Sequence, residues 1–401
     1  MRRSCGVADA GAVAAEVRAR VPAGDSVADP VREILKGVYE RGDAAVQQYE
    51  RRFGGTGEPL RVAAGRLAEA LQALDPAVRA GLEMAIANVS AVAAAGLDDD
   101  VDVTLEQGQS VRLREIPVRR AGVYAPGGRA PYPSSVVMGL ATARAAGVDE
   151  VLLAAPAHPV IHAAAALCGA DEVYAMGGAQ AIAALAYGTE SIAPVDVIVG
   201  PGNLYVQEAK RQLSGRVGID GFAGPSDLVV ILSDGADTEW AALDLRAQSE
   251  HGEDSLVVAV SDDPALLDGV IGDAVEIHAE SMDAALAFAE ALAPEHLQLA
   301  GAAAEALAPR VRTAGCLFVG AESGTAFGDY VAGSNHTLPT GGAARFASGL
   351  SVRHFRRRMA EVRVGEAAGA LARAGAPVAR AEGFVIHAES MEARMRENPP
   401  R

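Results

Sequence analysis

The stretch VDVIVGPGNLYVQEAKRQL, residues 195–213, decides how the rest of the chain is read. Residues 195–199 form a short apolar run with the length of a strand. The turn Gly200-Pro201-Gly202-Asn203 closes it, and a helical segment follows. The same strand, loop and helix recur upstream. Strands are expected at 122–124, 150–154 and 172–175, followed by loops through 125–135, Pro156 and Gly177-Gly178-Ala179-Gln180. Helices then run to about 146, over 159–168 and onward from Gln180. Downstream, strands at 228–232, 255–260 and 315–319 alternate with helices at 238–251 and 283–292. Short apolar strands alternating with helices imply parallel sheets with helices on both faces. The expected class is α/β, with two Rossmann-like, incomplete parallel-sheet units and small N- and C-terminal helical segments.

Residues 1–100 read as mostly helical, with an apolar stripe through Val31, Ile34, Leu35 and Val38. Asp25-Ser26 and Asp75-Pro76 are helix starts, the second with proline in the first turn. Residues 101–105 and 111–116 alternate as a hairpin does. The tail from 351 is charged, clusters Arg353, Arg356, Arg357 and Arg358, and reads as helix. The expected divisions are an N-terminal helical segment at 1–24, a first Rossmann-like domain at 25–121 plus 228–350, a second at 122–227, and a helical tail at 351–401.

Composition narrows the function. The 401 residues are 50% hydrophobic and carry a net charge of −17. That balance argues against nucleic-acid and anionic-membrane partners, because phosphates would be repelled. No run of 18 apolar residues and no signal peptide is apparent, and Cys5, Cys168 and Cys316 are too few and too scattered for a disulfide framework. A cytoplasmic protein is expected.

Neither G-x-G-x-x-G nor the P-loop pattern occurs. Even so, the glycine-rich loops after 124, 175 and 199 lie where an open α/β sheet binds ligands, outside the carboxyl ends of its strands. They serve equally well as plain turns. Four histidines stand beside acids or amides: His251 in Gln248-Ser249-Glu250-His251, His296 after Glu295, His336 downstream of Asp329, and His387 after Glu382. Imidazole and carboxylate suit zinc, with an amide as a weaker donor, yet no H-E-x-x-H or C-x-x-C spacing supports a metal. Glu295-His296 alone reads as a helix start with a capping histidine.

Taken together, the segments GVYAPGGRAPYPSSVVM (122–138), MGGAQAIAALAYGT (176–189), residues 196–230, AQSEHGEDS (247–255), APEHLQLA (293–300), GTAFGDYVAGSNHTLPT (324–340) and EGFVIH (382–387) resemble the histidinol dehydrogenase family, in its order and over most of 25–390. The resemblance implies NAD-dependent oxidation of L-histidinol to L-histidine through histidinal, with one zinc ion per subunit. It implies Gln248, His251, Asp329 and His387 as metal ligands that also touch substrate, and Glu295 and His296 as the acid/base pair. Tyr124, Gln180 and Asn203 match positions associated with NAD. Ser226, His296, His336 and Glu382 match positions that contact substrate. It also implies a homodimer in which tail residues complete the partner's site. Asp227 and Gly252 depart from the family's commoner Glu and Asp. A paralogous metal- and NAD-dependent dehydrogenase of another small alcohol, such as a sulfonated diol, is the alternative.

Overall fold

The computed structural model describes residues 2–21, 27–55, 60–127, 130–222, 224–252, 254–270 and 274–395; the expected helix start at Asp25-Ser26 lies outside them. In chain order, β1 (Arg2–Cys5) and α1 (Ala10–Arg18) lead into α2 (Ala28–Arg52), α3 (Ala64–Gln72) and α4 (Pro76–Ala95). The hairpin β2 (Val101–Thr104) and β3 (Ser110–Pro117) precedes β4 (Arg120–Tyr124), α5 (Pro133–Ala145), β5 (Glu150–Ala155), α6 (Pro159–Leu167) and β6 (Glu172–Ala175). Next come α7 (Gly178–Tyr187), β7 (Val197–Val199), α8 (Leu204–Leu213), β8 (Gly218–Ile219), β9 (Asp227–Leu232), α9 (Thr238–Ser249) and β10 (Leu256–Ser261). The chain continues through α10 (Pro264–Gly269), β11 (Val275–Ala279), α11 (Met282–Leu292), β12 (His296–Ala300), α12 (Ala302–Glu305), β13 (Cys316–Val319) and α13 (Thr325–Tyr330). It ends with β14 (Arg356–Arg363), α14 (Ala368–Ala381) and α15 (Val385–Glu392).

These elements form two compact units, Met1–Gly96 with Val118–Phe355, and Leu97–Pro117 with Arg356–Arg401. The first holds two parallel sheets, ordered β6-β5-β4-β7-β8 and β1-β11-β10-β9-β12-β13. The α/β class with two Rossmann-like sheets is as expected. Strands such as β4, β9 and β10 are buried at every residue, which explains their largely apolar runs, with a polar residue only at an end of each.

Three details differ from the sequence reading. The N-terminal segment is not wholly helical: β1 adds an edge strand to the six-stranded sheet by pairing with β11. Its four residues are too few for any periodicity to show. Helices α2, α3 and α4 do not join residues 228–350; they pack on α7, α6 and α5 over the five-stranded sheet. The stripe Val31, Ile34, Leu35 and Val38 shares a core with Ile182 and Leu185. A periodic stripe announces a helix but not the sheet it covers. The Asp75 start is as read, its carboxylate accepting from Ala77 N–H at 2.8 Å and Val78 N–H at 3.2 Å. Helix α4 is long and apolar enough by length and composition to cross a membrane, a test that packed helices also pass.

Packing is built on small residues. Residues 179–186 of α7 are all buried and five of the eight are alanine. A β-carbon at Gly139 of α5 would lie 2.3 Å from Val123 Cγ1, so the helix and β4 touch at backbone distance. Close approach of this kind leaves little room for rings and accounts for an aromatic content of only 4%.

The third difference is in the second unit. The expected hairpin forms, but the arginine-rich start of the tail is a strand: β14 pairs antiparallel with β3 from Arg356↔Pro117 to Arg363↔Ser110. A lone two-stranded hairpin is marginal in water, and a third strand covers the open edge of β3. Helices α14 and α15 form a hairpin turning at Gly383, whose φ is +83°, with Arg380 bonded to both oxygens of Glu392 at 2.6 and 2.7 Å.

Candidate active site

Both sheets of the first unit contribute to the site, from opposite edges. In a parallel sheet the strands end at one edge, and the helices return their C-termini to the other. The five-stranded sheet reverses its order between β4 and β7, and its loops after β4, β6 and β7 open at the carboxyl edge. From β8 the chain passes straight into the start of β9, so the carboxyl edge of one sheet leads to the amino edge of the other. There it meets strand starts, Ser226 before β9 and Glu295-His296 at β12, and the end of α9 with Gln248 and His251. Pro294-Glu295 therefore begins a strand rather than the helix read from the dipeptide. Ala293 ends α11 with φ +49°, the one non-glycine positive φ among the described residues, and turns the chain into it.

Ser226, His251, Glu295, His296, Asp329 and His336 line one cavity of about 350 Å3. The Ser226 hydroxyl donates to Glu295 Oε2, and Gln248 Nε2 donates to Ser226 Oγ at 2.5 Å. Asp227 N–H reaches the same Glu295 oxygen at 3.1 Å, while Glu295 N–H donates to Asp227 Oδ1 at 2.5 Å. Arg18 of α1 holds the other Asp227 oxygen at 2.5 Å and the Leu292 carbonyl at 2.8 Å. Burial, and next the Asp227 charge, push the Glu295 carboxyl up to about 8. Burial holds His296 below the usual imidazole value. His296 Nδ1 faces the Asp227 carbonyl at 3.4 Å, and Nε2 lies 3.9 Å from Asp329 Oδ1. His336 is oriented by the Asp329 carbonyl at 2.9 Å and Ser135 Oγ at 3.1 Å.

His251 Nε2 and Asp329 Oδ2 lie 3.7 Å apart. Two donors each about 2.1 Å from a tetrahedral ion lie roughly 3.4 Å from one another, so this pair fits a shared cation. Among the described residues no three of His, Cys, Asp and Glu form a metal-sized group, so a metal here would need an amide or a further ligand to complete the set. Gln248 spends its NH2 on Ser226 and keeps its oxygen for such a role. The end of α9 adds the negative pole of a helix.

A second cavity, about 560 Å3, contains Tyr124, Gln180 and Asn203 and shares Gly127 and Asn203 with the first. Asn203 caps α8, accepting from Tyr205 N–H at 3.1 Å and Val206 N–H at 3.2 Å. Tyr124 Oη accepts from Gly178 N–H at 3.1 Å. Gly200 has φ +119°, and a β-carbon there would lie 1.9 Å from the Tyr124 carbonyl, so this turn admits only glycine. The candidate residues thus fall into two groups in the first unit. Glu382 and His387 belong to the second, exposed at the α14–α15 turn, with the His387 ring 5.2 Å from Phe384.

Sequence reading missed Asp227, Arg18 and Ser135 as supports. Asp227 sits next to a candidate residue, but in sequence it marks only a departure from the family's commoner Glu; the other two act across 209 and 201 positions, and no local pattern marks them.

A family model described as histidinol dehydrogenase matches residues 18–395. A histidinol dehydrogenase of Gluconobacter oxydans is 40% identical over 403 residues, covering 93% of this chain and 94% of that protein. One from Streptomyces avermitilis is 41% identical over 361 residues and 82% of each. The crystal structure of histidinol dehydrogenase from Elizabethkingia anophelis superposes with a TM-score of 0.88 at 29% identity, covering 94% of this chain and 93% of that one.

Proposed function

The chain belongs to the histidinol dehydrogenase family, and from that premise we propose that it oxidises L-histidinol to L-histidine through histidinal, removing two electrons in each of two steps. The observation that carries the reading is the pairing, in one cavity, of an imidazole whose burial favours its neutral form with a buried carboxyl pushed up by burial and the Asp227 charge. Alcohol oxidation needs a base that is unprotonated at neutral pH, and hydration of an aldehyde needs a second base acting on water.

With its proton on Nδ1 toward the Asp227 carbonyl, His296 offers Nε2 to the substrate hydroxyl. Glu295, held by Ser226 and the Asp227 amide, takes the proton of the attacking water. His336, fixed at both ring nitrogens, closes the wall near Asp329. Gln248, His251 and Asp329 would hold a divalent ion, zinc in this reading, with His387 as a fourth ligand. The ion supplies a positive centre that orders the amine and imidazole nitrogens of the substrate. Tyr124, Gln180 and Asn203 would contact NAD, which supplies the electron acceptor for each step. Glu382 suits the cationic substrate through a charge-assisted hydrogen bond. Retaining the aldehyde between steps protects a reactive intermediate.

The assembly in this reading is a homodimer in which Glu382 and His387 complete the partner's site. Exposed Val378 on α14, Phe384 at the turn, and Val385 and Ile386 on α15 favour a covered face there. Three free cysteines accord with a cytoplasmic setting. The test follows NADH from purified protein supplied with L-histidinol, with and without chelator. Two NADH per histidinol, lost on chelation, is the expected outcome; no NADH from metal-loaded protein overturns the reading.

A further inference from the structure

The second cavity contains a carboxylate that the proposed chemistry leaves idle. Glu50 lies in the last turn of α2, and its Oε1 accepts from Gly177 N–H and from Gln180 Nε2, each at 2.9 Å. The next amide, Gly178 N–H, is taken by Tyr124 Oη. The start of α7, where a helix N-terminus would ordinarily seat a phosphate, is thus filled from within the chain. Among the described residues no hydrogen bond reaches the second oxygen, Glu50 Oε2. The described residues lining this cavity include no lysine, arginine or histidine.

An acidic oxygen without a partner accepts a ribose hydroxyl and repels a phosphate monoester at the same position. Tolerance of a 2′-phosphate commonly relies on a nearby cation, and among the described residues none lines this wall. The net charge of −17 adds to the repulsion instead of offsetting it. We propose that Glu50 is a specificity-determining residue that makes this cavity take NAD and reject NADP. The same carboxylate orients Gln180, so one side chain both sets the wall and excludes the phosphorylated dinucleotide. This inference rests on the reading of the cavity as the NAD site.

Isothermal titration calorimetry of the metal-loaded, full-length protein with NAD and with NADP tests it without turnover. Wild type is expected to favour NAD strongly. Glu50→Gln keeps an oxygen for Gly177 N–H but loses the charge, and should narrow the NAD-to-NADP ratio by about tenfold or more, the equivalent of a 1.4 kcal/mol change. Glu50→Asp keeps the charge and should retain the wild-type preference. Glu50→Ala provides the same reading if the Gln variant does not fold. Equal binding of both dinucleotides by wild type, or an unchanged ratio in Glu50→Gln and Glu50→Ala, overturns the proposal while the NAD site stands. Failure of wild type to bind either dinucleotide overturns the site assignment and the proposal with it.

Discussion

Ser226 and Asp227 both donate to Glu295 Oε2, yet burial and the Asp227 charge outweigh those bonds and push the carboxyl up to about 8. A base must be ionised to act. In the proposed division of labour, water activation therefore rises with pH through about 8 and fades as pH falls below it. His296 is neutral at these pH values because its pKa is lowered, so the alcohol step should be flat over the same range. Single-turnover oxidation of histidinol and of histidinal, followed between pH 6.5 and 9.5, checks both slopes. Glu295→Gln should keep the alcohol step and slow the aldehyde step by about 100-fold or more; equal losses would remove Glu295 from the second step. A carboxyl raised in the folded state costs stability as pH rises from its unfolded value toward 8. Metal-free Glu295→Gln should accordingly melt above wild type at pH 9, with a smaller gap at pH 5. None of this was legible in the dipeptide Glu295-His296, because burial and the Asp227 charge come from strand pairing 68 residues away.

Among elements, the glycine-rich loops after β4, β6 and β7 were legible, since strand, turn and helix are contiguous in sequence. The amino edge of the other sheet was not. It collects starts of strands and ends of helices from separate stretches, and no local pattern reports that they converge. Helix α1 is the clearest case: Arg18, 22% exposed, reaches Asp227, which is 1% exposed. Removing one partner of such a pair leaves a buried charge. Arg18→Met should cost about 2–4 kcal/mol, at the low side of fully buried pairs because Arg18 is partly solvated. Urea unfolding of the variant measures it, and a loss under 1 kcal/mol would show that α1 is not a brace for the site. Strand β14 is not legible in the sequence for a different reason. Its run of arginines is exposed on both faces, so it carries no alternation of apolar and polar residues.

For the whole molecule, the proposed exchange of tails has a direct test. Glu295→Gln and His387→Ala should each be inactive for the full reaction, the second through metal loss visible in elemental analysis. If each site draws His387 from the partner, unfolding and refolding an equal mixture produces heterodimers with one intact site. Random assortment makes half of the dimers mixed, so about a quarter of wild-type activity should return. If each chain uses its own His387, no activity returns. The resemblance of ordered segments made the family legible across nearly the whole chain; the two-unit division was not, because the second unit joins residues 97–117 to a tail more than two hundred positions away.

The serial arrangement of the two sheets has a practical corollary. The proposed site takes the carboxyl edge of one sheet and the amino edge of the other, so the carboxyl edge of the six-stranded sheet lies away from it. Its loops include the exposed Asp234-Gly235, where Gly235 has φ +85°. That turn is a place to splice in foreign sequence, since it is solvated and remote from both cavities. A short peptide tag inserted between Asp234 and Gly235 should leave turnover and cofactor affinity within about twofold of wild type. The molecule thus carries a built-in handle for immobilisation, set at the edge of the sheet opposite the proposed site.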